Sequence, residues 1–452
     1  MISGNNLFIV REGFYVINKF FRVDESGTTL GTEVIAGMVT FMTMAYIIFV
    51  NPNIISEAGV PKDAAIVTTC LAAGLATMLM GVFTNYPFAL APGMGLNAFL
   101  AFGVVLGMKI PWQTAMGIVF LEGLIILILV LTRFREIVMD AISINLKRAI
   151  GVGIGLFIAF IGLKSSGMVV KSQATLVTFG SFTKPVVVTS IGLVITAILM
   201  SRKVRGAILI GILSITAIAI FAGLSKMPES VIAFPQASQF TTIGAAFDPQ
   251  YLTQVFSLGM ITIIFAFLLT DFFDTLGTVV AVGGEAGFLD KEGRIPRIKG
   301  VLVVDSLAAM IGGAFGCSSV TTYVESAAGV GEGGRTGLTA VVTAALFFLA
   351  VFFWPIISIV PPAATAPALI VVGFLMMTVV KDIEWNEFTE AFPAFLTILT
   401  IPLTYSISKG IGYGFISYVL VKTFSGKLRD VHPLMYLVAL MFALDFLFSS
   451  LH

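Results

Sequence analysis

Apolar runs of roughly 17 to 25 residues, the length a helix needs to cross a bilayer, follow one another along almost the whole chain. They restrict its fold more than any other feature. Candidate spans lie near 32–51, 64–84, 86–106, 113–132, 147–167, 185–201, 205–224, 254–282, 299–316, 318–333, 336–357, 363–380, 389–407 and 409–424. Inside lipid every backbone polar group must be satisfied within the protein, so such runs become helices. Of the 452 residues, 58% are hydrophobic and 11% charged, against roughly 25% charged in a soluble domain. The fold class expected is therefore an all-α polytopic membrane protein with about 14 spans. The final apolar run, within 433–449, is interrupted by Asp445 and reads as an interfacial helix. The first residues, "MISGNNLFIVREGFYVINKFFRVDESG", lack the basic-then-apolar order of a cleavable signal and read as an amphipathic surface segment.

Charge placement tests this count. With the N-terminus inside, the large majority of the 26 basic residues fall in cytoplasmic segments, among them Arg11, Lys19, Arg22, Arg133, Arg135, Lys147, Arg148, Arg202, Lys203, Arg205, Lys291, Arg294, Arg297 and Lys299. That is the bias of a membrane protein with this orientation. The net charge of +1 offers no basic stripe for a nucleic acid. Two cysteines, Cys70 and Cys317, sit in apolar runs and make no disulfide framework.

The chain also resembles itself. "LATMLMGVF" at 75–83 returns as "LAAMIGGAF" at 307–315, and "SEAGV" at 56–60 returns as "GEAGF" at 284–288, each about half a chain away. A duplication of seven spans, an odd number, sets the second copy upside down relative to the first. Inverted repeats are typical of secondary transporters, whose substrate site lies near the midplane between the halves. The stretch 225–253 reads as the extracellular link.

Carboxylates within spans are costly and mark functional sites by default. Span 8, "LLTDFFDTLGT", carries Asp271 and Asp274 three residues apart, on one helical face, and span 10 carries Glu325 in "TTYVESAAGV". No lysine or arginine lies in those spans to neutralise them. Glu122 in span 4 and Asp305 in span 9 read equally well as structural acids and stay outside the candidate site. Span 3, "YPFALAPGMGLNAFLAF", places Pro92, Gly93 and Gly95 at mid-membrane with Asn97 just after. A continuous helix is not expected there. Span 10 runs from β-favouring "SSVTTYV" into Glu325 and a glycine cluster. Each of these two spans is expected to be a short extended piece feeding a half-helix whose first N–H groups are free. The structural alternative is that the glycines merely permit close helix packing.

"GTEVIAGMVTFMTMAYIIFVNP", "ALAPGMGLNAF", "TDFFDTLGT" and "TTYVESAAGVGEGGRTGLTA" closely resemble the hypoxanthine–adenine–guanine permeases, a branch of the nucleobase–cation symporter superfamily related to the uracil and xanthine permeases. The resemblance implies a 7+7 inverted repeat with a core domain at 31–132 and 254–357 and a gate domain at 133–224 and 358–424. A cytoplasmic segment at 1–30, the link at 225–253 and a C-terminal segment at 425–452 complete the chain. It implies proton-coupled purine uptake without a cofactor, at the plasma membrane, and from the wider superfamily a homodimer. Its substrate residues fall on Asp271, Glu325, Asn97, Tyr323 and Val324, and its further span-8 acid on Asp274. Proton coupling falls among Asp274, Asp271 and Glu325.

The chemistry of these residues agrees. Carboxylates accept the N–H groups on a purine edge, while Asn97 and half-helix N–H groups donate to its acceptors. Phe41, Tyr46 or Phe267 could cover the ring faces, although phenylalanine is so common in this chain that core packing is the favoured role for each. Both histidines, His432 and His452, lie near the C-terminus and no phosphate-binding loop occurs, which argues against a hydrolase or an ATP-driven pump. A passive channel would show non-saturating flux without accumulation, and an anion carrier of the same architecture would be poorly served by clustered carboxylates.

Overall fold

A computed structural model describes residues 15–132, 141–228, 230–290 and 295–450. Arg11, Arg133, Arg135, Lys291, Arg294 and His452 lie outside the described residues, as does most of the expected N-terminal surface segment; nothing is described of the side chain of Asp445. The chain is a helical bundle. Among the described residues, nine helical stretches are long and apolar enough to cross a membrane.

The first half runs α1 (Leu30–Met44), α2 (Ile47–Glu57), α3 (Lys62–Thr84), β1 (Leu90–Pro92), α4 (Met94–Ala98, continued by a π-helix to Gly107), α5 (Trp112–Leu131) and α6 (Ile144–Ser165). The strands β2 (Val169–Ser172) and β3 (Leu176–Phe179) then form a hairpin before α7 (Lys184–Ser201) and α8 (Ala207–Phe221). That hairpin is absent from the span reading, because alternation in "MVVKSQATLVTF" is short and lies outside any apolar run.

The second half comprises α9 (Pro249–Val255), α10 (Ile261–Glu285), α11 (Ile298–Phe315), β4 (Val320–Thr322), α12 (Ser326–Gly331), α13 (Gly337–Ala350), α14 (Trp354–Ser358), α15 (Pro362–Met377), α16 (Phe388–Thr404), α17 (Ile407–Phe424) and α18 (Pro433–Ser450). The linking stretch folds back on the bundle: Gly244 N–H donates to Ala314 O at 2.8 Å and Thr242 Oγ1 to Phe315 O at 2.9 Å. The terminal helix α18 packs along α17, with Phe442 buried beside Gly412.

Helix packing falls into two groups. In one, α3 packs on α13 and α2, α5 on α11, and α1 on α13 and α12. In the other, α6 packs on α15 and α16, α17 on α16, and α7 on α8 and α15. Glycines set the closest approaches inside each group. A Cβ at Gly123 would lie 2.8 Å from Met310 N, and one at Gly313 would lie 2.6 Å from Phe120 N, so α5 and α11 touch backbone to backbone. Gly155 and Gly373 do the same for α6 and α15. Without a hydrophobic drive between helices in lipid, such close van der Waals contact is what holds spans together.

Buried polar bonds strengthen each group. Glu33, fully buried on α1, accepts from Arg335 N at 2.8 Å, Thr339 N at 3.1 Å and Thr339 Oγ1 at 2.6 Å, and so caps the start of α13. In the other group Glu390 of α16 meets Lys422 of α17 at 2.9 Å and accepts from Ser143 Oγ at 2.5 Å and Asn145 Nδ2 at 3.2 Å, which joins α16, α17 and α6.

Candidate functional site

β1 and β4 cross antiparallel, pairing Leu90 with Thr322, Ala91 with Thr321 and Pro92 with Val320. Gly93 N donates to Ser319 O and Tyr323 N to Ala89 O, both at 2.9 Å, so the ladder extends beyond the strands at each end. The sequence explains why. Val320, Thr321 and Thr322 are β-branched and favour extended backbone. Pro92 has no N–H and disrupts a helix, but at the end of a strand that loss is tolerated. Backbone left unpaired by a broken span finds its partners in the other broken span.

A buried acid fixes the crossing. Asp305 on α11 accepts from Thr322 N at 3.0 Å, Thr322 Oγ1 at 2.8 Å and Thr275 Oγ1 at 2.6 Å. Thr275 Oγ1 in turn lies 2.7 Å from Thr321 Oγ1. Asp305 is thus a brace joining α11, α10 and β4, which resolves the ambiguity the sequence left at this position.

Beside the crossing lies a mostly apolar cavity of about 330 Å³ between the two helix groups, a usual size for a small-molecule pocket. Asp274, Thr270 and Thr278 of α10 line it with Gly95, Leu96 and Val324; Lys147 and Ile154 of α6 and Met376 of α15 form the opposite wall. The cavity follows α10 as far as Ala281, towards the end of the bundle where Thr28 donates to Gly333 O at 3.1 Å. Arg205 and Glu332 form an ion pair between the groups there. At the other end Asn53 Nδ2 reaches Thr365 Oγ1 at 3.4 Å, Lys62 Nζ reaches Val360 O at 3.1 Å, and the rings of Phe102 and Tyr405 meet edge to face at 6.1 Å.

The expected site residues separate into two layers. Asp274 and Val324, both exposed, line the cavity. Glu325, half-buried, stands at the start of α12, where its carboxylate accepts from Tyr46 Oη at 2.5 Å and its carbonyl from Thr43 Oγ1 at 3.4 Å. Behind these lie Asp271, Asn97 and Tyr323, all buried and none lining the cavity. Tyr323 Oη donates to Pro92 O at 2.6 Å and Asn97 Nδ2 donates to the same carbonyl at 3.3 Å. Asp271 turns instead toward Glu122 of α5. Asp271 and Asp274 are close in direction on α10, yet the angle between them places one inside the packing and the other in the cavity.

Phe41, Tyr46 and Phe267 do not line the cavity, in keeping with the packing role that so phenylalanine-rich a sequence favours for them. Phe41 packs edge to face on Phe347, with centroids 5.1 Å apart, and Phe267 packs on Phe99 at 4.6 Å. Tyr46 is 1% exposed and acts through its hydroxyl. Phenylalanine is so frequent in this chain that ring type alone does not separate packing from ligand contact. The sequence reading missed Lys147 as a cavity residue, having counted it only as a cytoplasmic charge. It missed Glu33 as well, although a carboxylate near a span start resembles many helix caps. Among the described residues no group of three or more His, Cys, Asp or Glu is placed to hold a metal ion.

The chain is 44% identical over 438 residues to the adenine permease AdeP of Escherichia coli K12, covering 97% of each protein. It is 45% identical over 442 residues to the guanine/hypoxanthine permease PbuG of Bacillus subtilis 168, covering 96% of this chain and 100% of that protein. Among solved structures, the transmembrane domain of the cyanobacterial bicarbonate transporter BicA shares the fold with a TM-score of 0.62 at 14% identity, over 84% of this chain and 97% of that one. A signature described as "Permease family" (Xan_ur_permease) matches residues 31–412. With crossed strands, a cavity between two helix groups and this sequence match, the chain belongs to the Xan_ur_permease family of membrane permeases.

Proposed function

We propose that this protein imports a purine nucleobase (hypoxanthine, guanine or adenine) across the plasma membrane by proton symport and alternating access. The observation that carries the reading is the cavity between the helix groups, with Asp274 in its wall and Glu325 beside it. A purine presents ring N–H donors on its edge, which two carboxylates accept well. Relatives at 44–45% identity are named adenine and guanine/hypoxanthine permeases, which supports the substrate class. In this reading Asp274, Glu325 and Val324 meet the base directly. Gly95 and Leu96, which line the cavity at the start of α4, offer backbone N–H groups to the acceptors of the base. Asn97 and Tyr323 hold the crossing in place from behind, through the Pro92 carbonyl, while Asp271 lies behind Asp274 against Glu122.

The group containing α1–α3, α5 and α10–α13 acts as the core, and the group containing α6–α8 and α15–α17 as the gate, in a fourteen-span, 7+7 inverted-repeat plan. The strand-then-helix pieces β1–α4 and β4–α12 are corresponding parts of the two repeats. With the N-terminus cytoplasmic, as the basic residues favour, the cavity opens inward and the contacts at Asn53, Lys62 and Phe102 close the outer side. Moving one charge through about 100 mV supplies about 2.3 kcal/mol, which is sufficient to concentrate a neutral base against its gradient.

The test is uptake of labelled hypoxanthine into proteoliposomes of the purified protein, with and without an inward proton gradient, competed by adenine, guanine, xanthine and uracil. Saturable accumulation that requires the gradient is expected. Non-saturating flux that merely equilibrates would overturn the reading in favour of a channel.

A further inference from the structure

We propose that Glu122 on α5 and Asp271 on α10 hold one proton between them as a carboxylic acid–carboxylate pair, which makes Glu122 a proton-carrying residue of this permease. Both side chains are 0% exposed. α5 and α10 pack together and the two carboxyl groups face each other across that contact. Neither oxygen of either group receives an N–H or O–H bond.

Other acids of the bundle contrast with this pair. Asp305 has three donors, Glu33 is bonded to the start of α13, Glu390 meets Lys422, and Glu325 is bonded by Tyr46. Among the described residues, only Glu122 and Asp271 are carboxylates with both oxygens buried and unpartnered. An ionised carboxylate is an acceptor only. Two facing acceptors in a medium this poor in water repel each other and gain nothing in exchange. A single proton removes one charge and turns the contact into an O–H···O bond, as in other carboxyl pairs that cannot both ionise.

A second observation points to the same place. Ser319 Oγ is fully buried, makes no hydrogen bond of ordinary geometry and lies against Glu122. Ser319 is also the residue whose carbonyl binds Gly93 N at the crossing, so the pair adjoins the broken backbone of both halves. The charges facing the pair are all negative: Asp305 from α11 and Asp274 from α10. α5, α10, β4, α4 and α12 carry no Lys, Arg or His, and α11 carries only Lys299, at its first turn. On the other elements packed against α10, Lys147 lines the cavity, Arg148 binds Asp382 O, Lys164 lies over the rings of Phe102 and Tyr405, and Lys422 is paired with Glu390; Lys409 stands at the start of α17, and Glu325 is bonded by Tyr46. Among the described residues no basic side chain is therefore assigned to neutralise the pair, and a proton does so.

Asp274, one turn along α10 from Asp271, opens to the cavity and gives the proton a way in and out. Only O–H bonds form and break: Asp274 takes H⁺ from the cavity water, passes it to the pair and later takes it back. The coupling role of the pair rests on the symport reading, whereas the shared proton does not.

The experiment separates these two. Infrared difference spectra of the full-length protein in lipid nanodiscs are recorded as pH is stepped through neutrality. A protonated-carboxyl C=O band is expected in the wild type and is lost in Glu122→Gln and in Asp271→Asn. Absence of the band, or its persistence in both variants, overturns the shared proton. Absence of the band together with a sodium-dependent gain in thermal stability would assign the site to Na⁺ instead. Glu122→Gln keeps the shape of the pair and donates a fixed N–H to Asp271, so its transport is measurable. One charge moving through about 100 mV can drive roughly fiftyfold accumulation. In Glu122→Gln that ratio is expected to fall towards one, while hypoxanthine exchange without a gradient falls much less. Unchanged accumulation overturns the coupling role. A wild type that shows the band but never accumulates base overturns the symport reading alone.

Discussion

Asp305→Ala removes the brace beneath the crossed strands and offers a sharp quantitative test. Three donors lose their acceptor: Thr322 N, Thr322 Oγ1 and Thr275 Oγ1. The Thr275 hydroxyl can turn to Thr321 Oγ1, already 2.7 Å away. Both Thr322 donors remain buried and unpaired, since Thr322 is 2% exposed. At about 1–3 kcal/mol for each orphaned donor, the loss is roughly 2–6 kcal/mol. Asp305→Asn retains a carbonyl oxygen for Thr322, and its amide can donate to the Thr275 oxygen, so its cost should be about 1 kcal/mol. Thermal unfolding in detergent, followed by intrinsic fluorescence, should therefore rank wild type, Asn and Ala in clearly falling order. Hypoxanthine binding should weaken in parallel, because Glu325 follows three residues after Thr322. An alanine variant as stable as wild type, or one equal to the asparagine variant, would refute the account of Asp305 as an acceptor of these bonds.

Other outcomes follow from the same geometry. Asp274→Asn removes an acceptor from the cavity wall and should weaken hypoxanthine binding about tenfold or more, a loss of at least about 1.4 kcal/mol, by equilibrium binding to the purified protein; unchanged affinity would remove Asp274 from the site. Lys422→Met strands Glu390 among α6, α16 and α17 and should cost about 3–5 kcal/mol of stability, whereas Lys422→Met combined with Glu390→Gln should recover part of it, by thermal unfolding of both variants. Just before α16, hydrogen bonds from Lys427 Nζ and from Thr389 hold the Glu387 carboxyl well below the ordinary range, at about 2. Its folded value is depressed, so its contribution to stability is complete above the ordinary carboxylate range and is lost as pH falls from there towards about 2. Stability profiles of Lys427→Met and wild type should therefore differ at neutral pH and converge in strong acid, with the difference shrinking in high salt.

Much of the architecture was legible because lipid imposes one rule on every segment. A run of apolar residues at the length of a span must be a helix, and a proline with glycines inside such a run must have a substitute for its helical bonds. Pro92, Gly93 and the β-branched Val320–Thr322 declared themselves on that ground. The exact partners did not. That Leu90 meets Thr322, or that Ser319 binds Gly93, depends on how segments over two hundred residues apart are brought together. The hairpin at 169–179 escaped for the opposite reason, since outside the membrane no rule of comparable strength applies.

The same division runs through the acids. Residue order alone places Glu122, Asp271, Asp274, Asp305 and Glu325 within apolar spans lacking nearby bases, because burial length and residue type need no partner to be read. It could not assign their roles, since a carboxylate's role depends on which donors surround it. It takes the packed helices to show that Asp305 is satisfied by Thr322 and Thr275, that Asp274 opens into the cavity, and that Asp271 meets Glu122 away from it. The physical reason is that apolar periodicity is a local property of the chain, whereas the satisfaction of a buried charge depends on atoms contributed by other helices.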